Sequence, residues 1–211
     1  MAVARRSPVQ QRSIESMNRM LDAGEHLFYE GGGSALTLEG VIDRAETSTG
    51  SFYARFGDMQ GFLHAMHERV HQMLSAELLP IFDKAAREPD LKSSLQKTFT
   101  GFFDVIERHR IPLYFFVVDN AHDSEWRETG AQFTIGFSDV FISLVKQYLP
   151  KFTSTHDKRR IEMATRMSIA AVFQQIMLDQ NEFSRVTMSR KAIATEYANM
   201  VYSYLTASPS Q

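Results

Sequence analysis

Residues 37–63 constrain the fold more than any other stretch, because they contain two short helices separated by a tight turn. Thr37 is suited to cap the first helix, since its hydroxyl can accept a backbone N–H at a helix start. Apolar residues then recur at i, i+3, i+4 and i+7, on one helical face: Leu38, Val41, Ile42 and Ala45. Ser48 is placed to cap a second helix, predicted over 49–55. The spacing therefore predicts a helix–turn–helix unit.

The second helix divides into an apolar and a polar face. Phe52 and Phe56 lie four residues apart and are expected to pack back on the first helix. Gly50 is expected to leave room for close approach between the two helices. The remaining polar residues have few competing roles and form a candidate DNA-reading set: Ser48, Thr49, Ser51, Tyr53 and Arg55. Exposed hydroxyls with one Arg on a short helix are typical of a DNA-recognition helix.

The segment 45–56 resembles the DNA-binding domain of the TetR family of one-component bacterial repressors. That family has a pattern close to Ala-Gly-Val-Ser-x-Gly-x-Leu-Tyr-x-His-Phe, and this chain matches it without a gap at Ala45, Ser48, Gly50, Tyr53 and Phe56. The resemblance implies a homodimeric regulator of double-stranded operator DNA. It further implies that a small apolar or amphipathic effector releases a repressor from a pseudo-palindromic operator.

On this hypothesis the DNA contacts extend beyond the recognition helix. Ser48, Thr49, Ser51 and Tyr53 would contact bases and phosphates, while Thr37 and Arg55 would hold phosphates. The two basic residues near the start of the chain, Arg5 and Arg6, would reach the adjacent backbone or the minor groove.

Two departures from the family pattern affect the DNA-binding segment. Glu46 replaces the turn glycine, so we expect a backbone conformation less extreme than glycine would allow. The residues 58–60, Asp-Met-Gln, offer no cation at the start of the following helix. A phosphate contact at that helix start would therefore come from backbone N–H groups.

The rest of the chain also predicts helices. A first helix is expected over 13–29, ended by three glycines, and a long linking helix is expected from residue 58 to Leu78, with Pro80 interrupting or ending it. Further helices are predicted over 91–109, 112–120, 124–149, 158–182 and 189–206. The predicted fold is all-α, with a three-helix helix–turn–helix domain over 1–57. A larger helical bundle over 58–211 is expected to bind the ligand and form the dimer.

Charge and composition exclude several other classes. The formal net charge is −2, and residues 1–60 hold six Arg, no Lys and eight acidic residues, which counts mildly against nucleic-acid binding. The distribution of charge matters more than its sum, and Arg5, Arg6 and Arg12 cluster before the first helix. Because there is no cysteine, no apolar run of about 18 residues and no signal-peptide core, we expect a cytoplasmic protein without a membrane span.

Aromatic residues are dense in the middle of the chain, where most must be core. Small-molecule pockets are also lined by aromatic side chains with a few polar groups. The candidate ligand-binding residues are His67, Phe102, Phe103, Phe116, Asn120, Trp126, Phe133, Phe137 and Gln174. No cofactor is implied by this set.

Metal binding and catalysis receive less support. His64, His67 and His71 align near one helical face, but no carboxylate or cysteine completes an evident metal site, so chance alignment is favoured. Asp104 and Glu107 are explained by a solvated helix face, and no nucleophile elbow or His-Glu-x-x-His motif is present. We therefore expect neither a metal site nor an enzyme.

The last two predicted helices suggest a dimer interface, and one alternative function stays open. Ala164, Ser168 and Ala171 form a small-residue face beside an apolar stripe over 197–205, consistent with a two-fold dimer. The alternative is a helical small-molecule-binding or catalytic protein whose helix–turn–helix is structural only. Exposure of the polar residues of the second helix distinguishes the two hypotheses, because a purely structural helix would not leave them on one open face.

Overall fold

The computed structural model describes residues 8–119, 123–178 and 185–207. Within those ranges all regular structure is helical, which confirms the all-α prediction. The helices are α1 (Pro8–Gly31), α2 (Leu38–Arg44), α3 (Thr49–Phe56), α4 (Met59–Ala85), α5 (Leu91–Arg108), α6 (Arg110–Tyr114), α7 (Ser124–Tyr148), α8 (Thr155–Met177) and α9 (Arg190–Thr206). A 3₁₀ turn covers Gly32–Ala35 and a π-helical turn covers Phe115–Asp119.

The chain forms two compact units, Met1–His71 and Gln72–Gln211. The first contains the helix–turn–helix, and the second contains α5 to α9. The predicted domain boundary after residue 57 stays a prediction.

The core of the first unit fixes the position of α3. Phe52 is fully buried, and its ring centroid lies 5.1 Å from that of Phe56 and 5.3 Å from that of Phe62 on α4. Gly24 on α1 allows Phe62 this close, since a Cβ at Gly24 would lie 2.6 Å from the Phe62 ring. The two aromatic residues of α3 therefore both pack against Phe62 of α4.

The prediction that the linking helix reaches Leu78 and is interrupted or ended by Pro80 is wrong, because α4 continues through Pro80 to Ala85. Proline removes the hydrogen bond to the carbonyl four residues earlier. Here Pro80 and Ala76 are both exposed, so solvent can satisfy the freed carbonyl. On the opposite side Leu74, Leu78 and Phe82 are buried at successive turns, and this packing holds the helix together.

Three other predicted helices differ at their ends. The first, predicted over 13–29, extends over Pro8–Gly31, and the helix predicted to residue 182 ends at Met177. The helix predicted over 112–120 is split into the short α6 and the π-helical turn. The helix predicted from residue 158 begins at Thr155, because Ser154 and Asp157 form a capping box that starts it three residues earlier. The Ser154 hydroxyl holds the pKa of the Asp157 carboxyl below its ordinary value.

The small-residue face of α8 is used inside the second unit. Ala164 is fully buried, and Ser168 and Ala171 are buried as well, so the expectation that they face a second copy is wrong. Small residues let helices approach closely whether the neighbour belongs to the same chain or to another. The exposed large apolar residues of α8 and α9 are Met163, Met167, Met177, Met200 and Tyr204.

Candidate nucleic-acid interface

Side-chain caps start both helices of the helix–turn–helix, as predicted. The Thr37 hydroxyl accepts the Gly40 N–H at 3.1 Å, and the Ser48 hydroxyl accepts the Ser51 N–H at 3.2 Å. Between them the turn passes through Glu46 at φ +49°, the left-handed region that glycine usually occupies. The expectation of a less extreme conformation at Glu46 is therefore wrong, because a residue with a Cβ lies in the left-handed region.

The surface of α3 divides the predicted DNA-reading set into two groups. Ser48, Thr49 and Tyr53 are exposed, with 47% of the Tyr53 surface accessible. Ser51 and Arg55 are half-buried. The open face of α3 therefore carries three of the five predicted residues, together with Gly50 and Ala54.

The two half-buried residues of the set are bonded to each other and to α1. Arg55 Nη1 donates to the Ser51 carbonyl at 2.8 Å and to the Ser51 hydroxyl at 2.7 Å. Arg55 Nε donates to the carbonyl of Ser13 on α1 at 3.3 Å. The guanidinium thus joins the recognition helix to the beginning of α1.

Gly50 does not serve the helix packing predicted for it. A Cβ at Gly50 would meet nothing within 4 Å. Glycine at an exposed helical position lowers stability by about 0.5–1 kcal/mol relative to alanine, and here no contact within the protein requires it. Its effect is an open, side-chain-free surface beside Thr49.

Of the five arginines that the structure describes in the first unit, Arg44, Arg55 and Arg69 are bonded to other residues of that unit. Arg44 forms a fork with Glu30 at 2.5 and 2.6 Å, and the Arg44 hydrogen bond holds the pKa of the Glu30 carboxyl below its ordinary value. Arg69 pairs with Asp22 and, at 3.5 Å, with Glu25. The exposed cations of α1 are Arg12 and Arg19.

The start of α4 is capped by an acid. Asp58 Oδ1 accepts the Gly61 N–H at 2.8 Å, so this carboxylate occupies a donor that was expected to face a phosphate. Gly61 is required at this turn, because a Cβ would lie 2.0 Å from the Phe56 carbonyl oxygen. Sequence reasoning missed Gly61; its only signal was a glycine three residues after a capping Asp.

Predicted ligand-binding residues of the second unit lie in separate aromatic clusters. Phe102 and Phe137 are in edge-to-face contact, with their ring centroids 4.3 Å apart. The ring centroid of Phe82 lies 4.9 Å from that of Phe137. In another cluster, Phe116 lies 5.1 Å from Trp126. Each of these rings packs against another aromatic ring. The remaining aromatic of the predicted set, Phe133, is half-buried on α7.

The third cluster combines aromatic and polar groups. Tyr197 on α9 lies 6.1 Å from Phe99 in a stacked arrangement and 5.6 Å from Phe103. Its hydroxyl donates to Gln174 Oε1 on α8 at 2.9 Å, and burial raises the pKa of Tyr197. Phe103 and Gln174 of the predicted set are thus linked through a tyrosine that sequence reasoning had assigned to an apolar stripe.

Other predicted site residues fall elsewhere. His67 is buried in the first unit with its ring 4.3 Å from that of His71, and burial lowers the pKa of His71. Arg5, Arg6 and Asn120 lie outside the described residues. Among the residues that the structure describes, no three metal-ligating side chains are grouped to hold an ion. Within the same ranges, no helix has both the length and the apolar character needed to cross a membrane.

Comparisons with known proteins agree with this geometry. Residues 20–66 match the model for "Bacterial regulatory proteins, tetR family". A bacterial regulatory protein of the tetR family from Rhodococcus RHA1 is 16% identical, with a TM-score of 0.64 over 92% of this chain and 98% of that one. A TetR/AcrR-family transcriptional regulator from Thermobifida fusca YX-ER1 is 15% identical, with a TM-score of 0.63 over 88% and 95%.

A third structure, a TetR-family transcriptional regulator from Streptomyces coelicolor, is 14% identical, with a TM-score of 0.62 over 91% of this chain and 95% of that one. No curated protein matches this sequence. The fold is shared with these solved regulators, and α2 and α3 form the helix–turn–helix within it. Within that fold, residues 20–66 are the part of the chain that matches the tetR-family model.

Proposed function

We propose that this chain is a transcriptional repressor that binds a pseudo-palindromic operator as a homodimer and leaves it when a small effector binds. The observation that carries the proposal is the open face of α3. Thr49 and Tyr53 are exposed there beside Gly50, whose missing side chain no contact within the protein explains. A polar face without bulk beside it is suited to close approach by a DNA backbone.

Roles on this face follow from reach and chemistry. Ser48 and Thr49 are short, so they read base edges only where α3 lies deep in the major groove. Tyr53 carries its hydroxyl farther out and is suited to a phosphate at the groove edge. Thr37 accepts its cap bond through oxygen, which leaves its hydroxyl hydrogen available for a phosphate.

The dimer is proposed to use the methionine-rich face of α8 and α9. Met163, Met167 and Met200 are exposed there with Tyr204. Exposed apolar patches of this kind commonly mark an interaction surface. Two copies related by a two-fold axis would present two recognition helices to successive major grooves, which a single short helix needs for tight binding.

The effector is proposed to bind in the aromatic second unit and to act in the cytoplasm, where the operator lies. Gln174, Tyr197 and Phe103 combine a polar pair with an aromatic wall, which suits an amphipathic molecule. The other proposed contacts in this unit are Phe102, Phe116, Trp126, Phe133 and Phe137, and His67 is left out because it lies in the first unit. Release from DNA then requires that the effector bind the released form more tightly than the DNA-bound form.

The engaged arginines favour the alternative, in which the helix–turn–helix is structural only. Arg44 and Arg69 are paired with acids, so the first unit presents fewer cations than its sequence contains. A structural helix, however, gains nothing from an exposed glycine in its first turn.

Selection of binding sites from random double-stranded DNA tests the proposal. The wild type should enrich a two-fold-related sequence, and Thr49→Ala should weaken binding to it. Thr100→Ala, at another exposed threonine on α5, is the matched control and should bind as the wild type does. Failure to enrich any sequence would favour the structural-only alternative.

A further inference from the structure

Arg55 was expected to hold a DNA phosphate, yet its guanidinium is directed at the protein. We propose instead that Arg55 is a positioning residue, which anchors the beginning of α1 to the recognition helix and thereby places Arg12 for phosphate contact. The inference rests on the proposed DNA-binding function. On this inference Arg12 contacts the phosphate, and Arg55 fixes the position of the beginning of α1 relative to α3.

The hydrogen bonds of Arg55 point in two directions. Nη1 bonds to the carbonyl and the hydroxyl of Ser51 one turn earlier on α3, and Nε bonds to the carbonyl of Ser13, 42 residues away in the chain. A planar guanidinium presents its donors in a fixed fork, so satisfying both partners fixes the separation of the two helices at this point. A lysine ammonium, on a flexible stem, cannot reproduce this fork.

The location of the anchor gives it a consequence for DNA binding. Arg12 is exposed and immediately precedes Ser13, the residue whose carbonyl Arg55 holds. Among the described residues, Arg44 at the end of α2 and Arg69 on α4 are in ion pairs with acidic residues. The cationic start of α1 is therefore a main source of positive charge beside α3, and Arg55 determines where that charge lies.

A phosphate clamp and a positioning residue respond differently to substitution. For a clamp, Arg55→Lys keeps the charge and most of the affinity, and the effects of Arg12→Ala and Arg55→Ala add. For a positioning residue, Arg55→Lys weakens binding as much as Arg55→Ala. The effect of Arg12→Ala then largely disappears once Arg55 is replaced, because Arg12 is no longer held in place.

The experiment measures operator affinity at several salt concentrations for wild type, Arg12→Ala, Arg55→Ala, Arg55→Lys and the double alanine variant. All are compared below their unfolding transitions, so that the bound fraction refers to folded protein. We expect each single variant to bind about tenfold more weakly, as for a lost charge-assisted hydrogen bond. The double variant should match Arg55→Ala within about twofold.

The salt slope supplies a second comparison within the same titrations. Arg12→Ala should lower its magnitude by about one unit per subunit, with no further loss in the double variant. Wild-type affinity in Arg55→Lys, or additive single effects, would overturn the positioning role.

Trypsin cleavage after Arg12, measured without DNA, tests the anchor independently of the proposed function. Arg55→Ala and Arg55→Lys should both be cleaved faster there than the wild type, because the beginning of α1 is released. Unchanged cleavage would show that the anchor does not hold α1. Faster cleavage without selective DNA binding would instead leave the anchor in place and refute the repressor.

Discussion

The open face of α3 and the aromatic interior of the second unit differ in how fully packing accounts for their residues. On α3, Thr49, Gly50 and Tyr53 lie at the surface, and Gly50 has no neighbour that requires glycine. In the second unit Phe102 and Phe137 each have an aromatic partner within 5 Å. Where packing leaves residues unexplained, function can be inferred from them; where packing explains every ring, the sequence cannot show which of them also contacts a ligand.

Removal of an interior ring is expected to give the largest effect. Phe102→Ala should lower the free energy of unfolding by about 3–5 kcal/mol, since Phe102 is buried against Phe82 and Phe137. Chemical denaturation checks this value. A cost below about 1 kcal/mol would mean that Phe102 lines an open pocket, and the contrast between the two regions would fail.

A charge in the methionine-rich face should disrupt the proposed dimer. Met200→Lys is expected to raise the dimer dissociation constant at least tenfold, because two-fold symmetry brings an unpaired charge into the interface from each copy, with a total cost of at least about 1.4 kcal/mol. Analytical ultracentrifugation measures it. Lys191→Met, a change at an exposed position of the same helix, is the control. Equal dimer dissociation constants for the two variants would show that the interface does not include Met200.

The turn residue Glu46 should show a smaller effect, of opposite sign. Glu46→Gly is expected to stabilise the fold by about 1 kcal/mol, because glycine adopts the left-handed conformation without a Cβ clash. Glu39→Gly, within α2, should instead destabilise. Thermal unfolding of the two variants distinguishes strain at the turn from a general effect of removing an acid.

The smallest stability change is expected at Gly50. Gly50→Ala should stabilise by about 0.5 kcal/mol, since the added methyl meets no protein atom, yet it should weaken operator binding. Gly136→Ala on α7 is the matched control, because its added methyl also meets nothing. Gly136→Ala should stabilise the protein without changing its affinity for DNA. If both variants bound the operator equally well, the open face of α3 would not differ from α7 in this respect.

Local signals in the sequence predicted much of the fold. Thr37, Ser48 and Asp58 cap the helices that follow them, because a cap depends on residues only three positions apart. The end of α4 was missed, since Pro80 is outweighed by buried residues on the far side of the helix. Local capping signals thus predict these three helix starts, whereas the end of α4 depends on packing along the whole helix.

Contacts between distant residues decided what the sequence could not predict about the site. The sequence pattern predicts Arg55 as a DNA contact and cannot show its hydrogen bond to Ser13, which is 42 residues away. The small residues of α8 were assigned to a dimer because their spacing is the same whether the neighbouring helix is internal or belongs to a second copy. Residue type and spacing indicate what a side chain can contact, and only the tertiary arrangement selects the partner.

The central claim is that the open face of α3 reads DNA sequence. The most direct test is competition between the selected operator and random duplex of equal length, at one fixed salt concentration. We predict that the wild type prefers the operator by at least about 10³-fold, the lower end for specific DNA-binding proteins. Equal affinity for operator and random DNA would contradict the account.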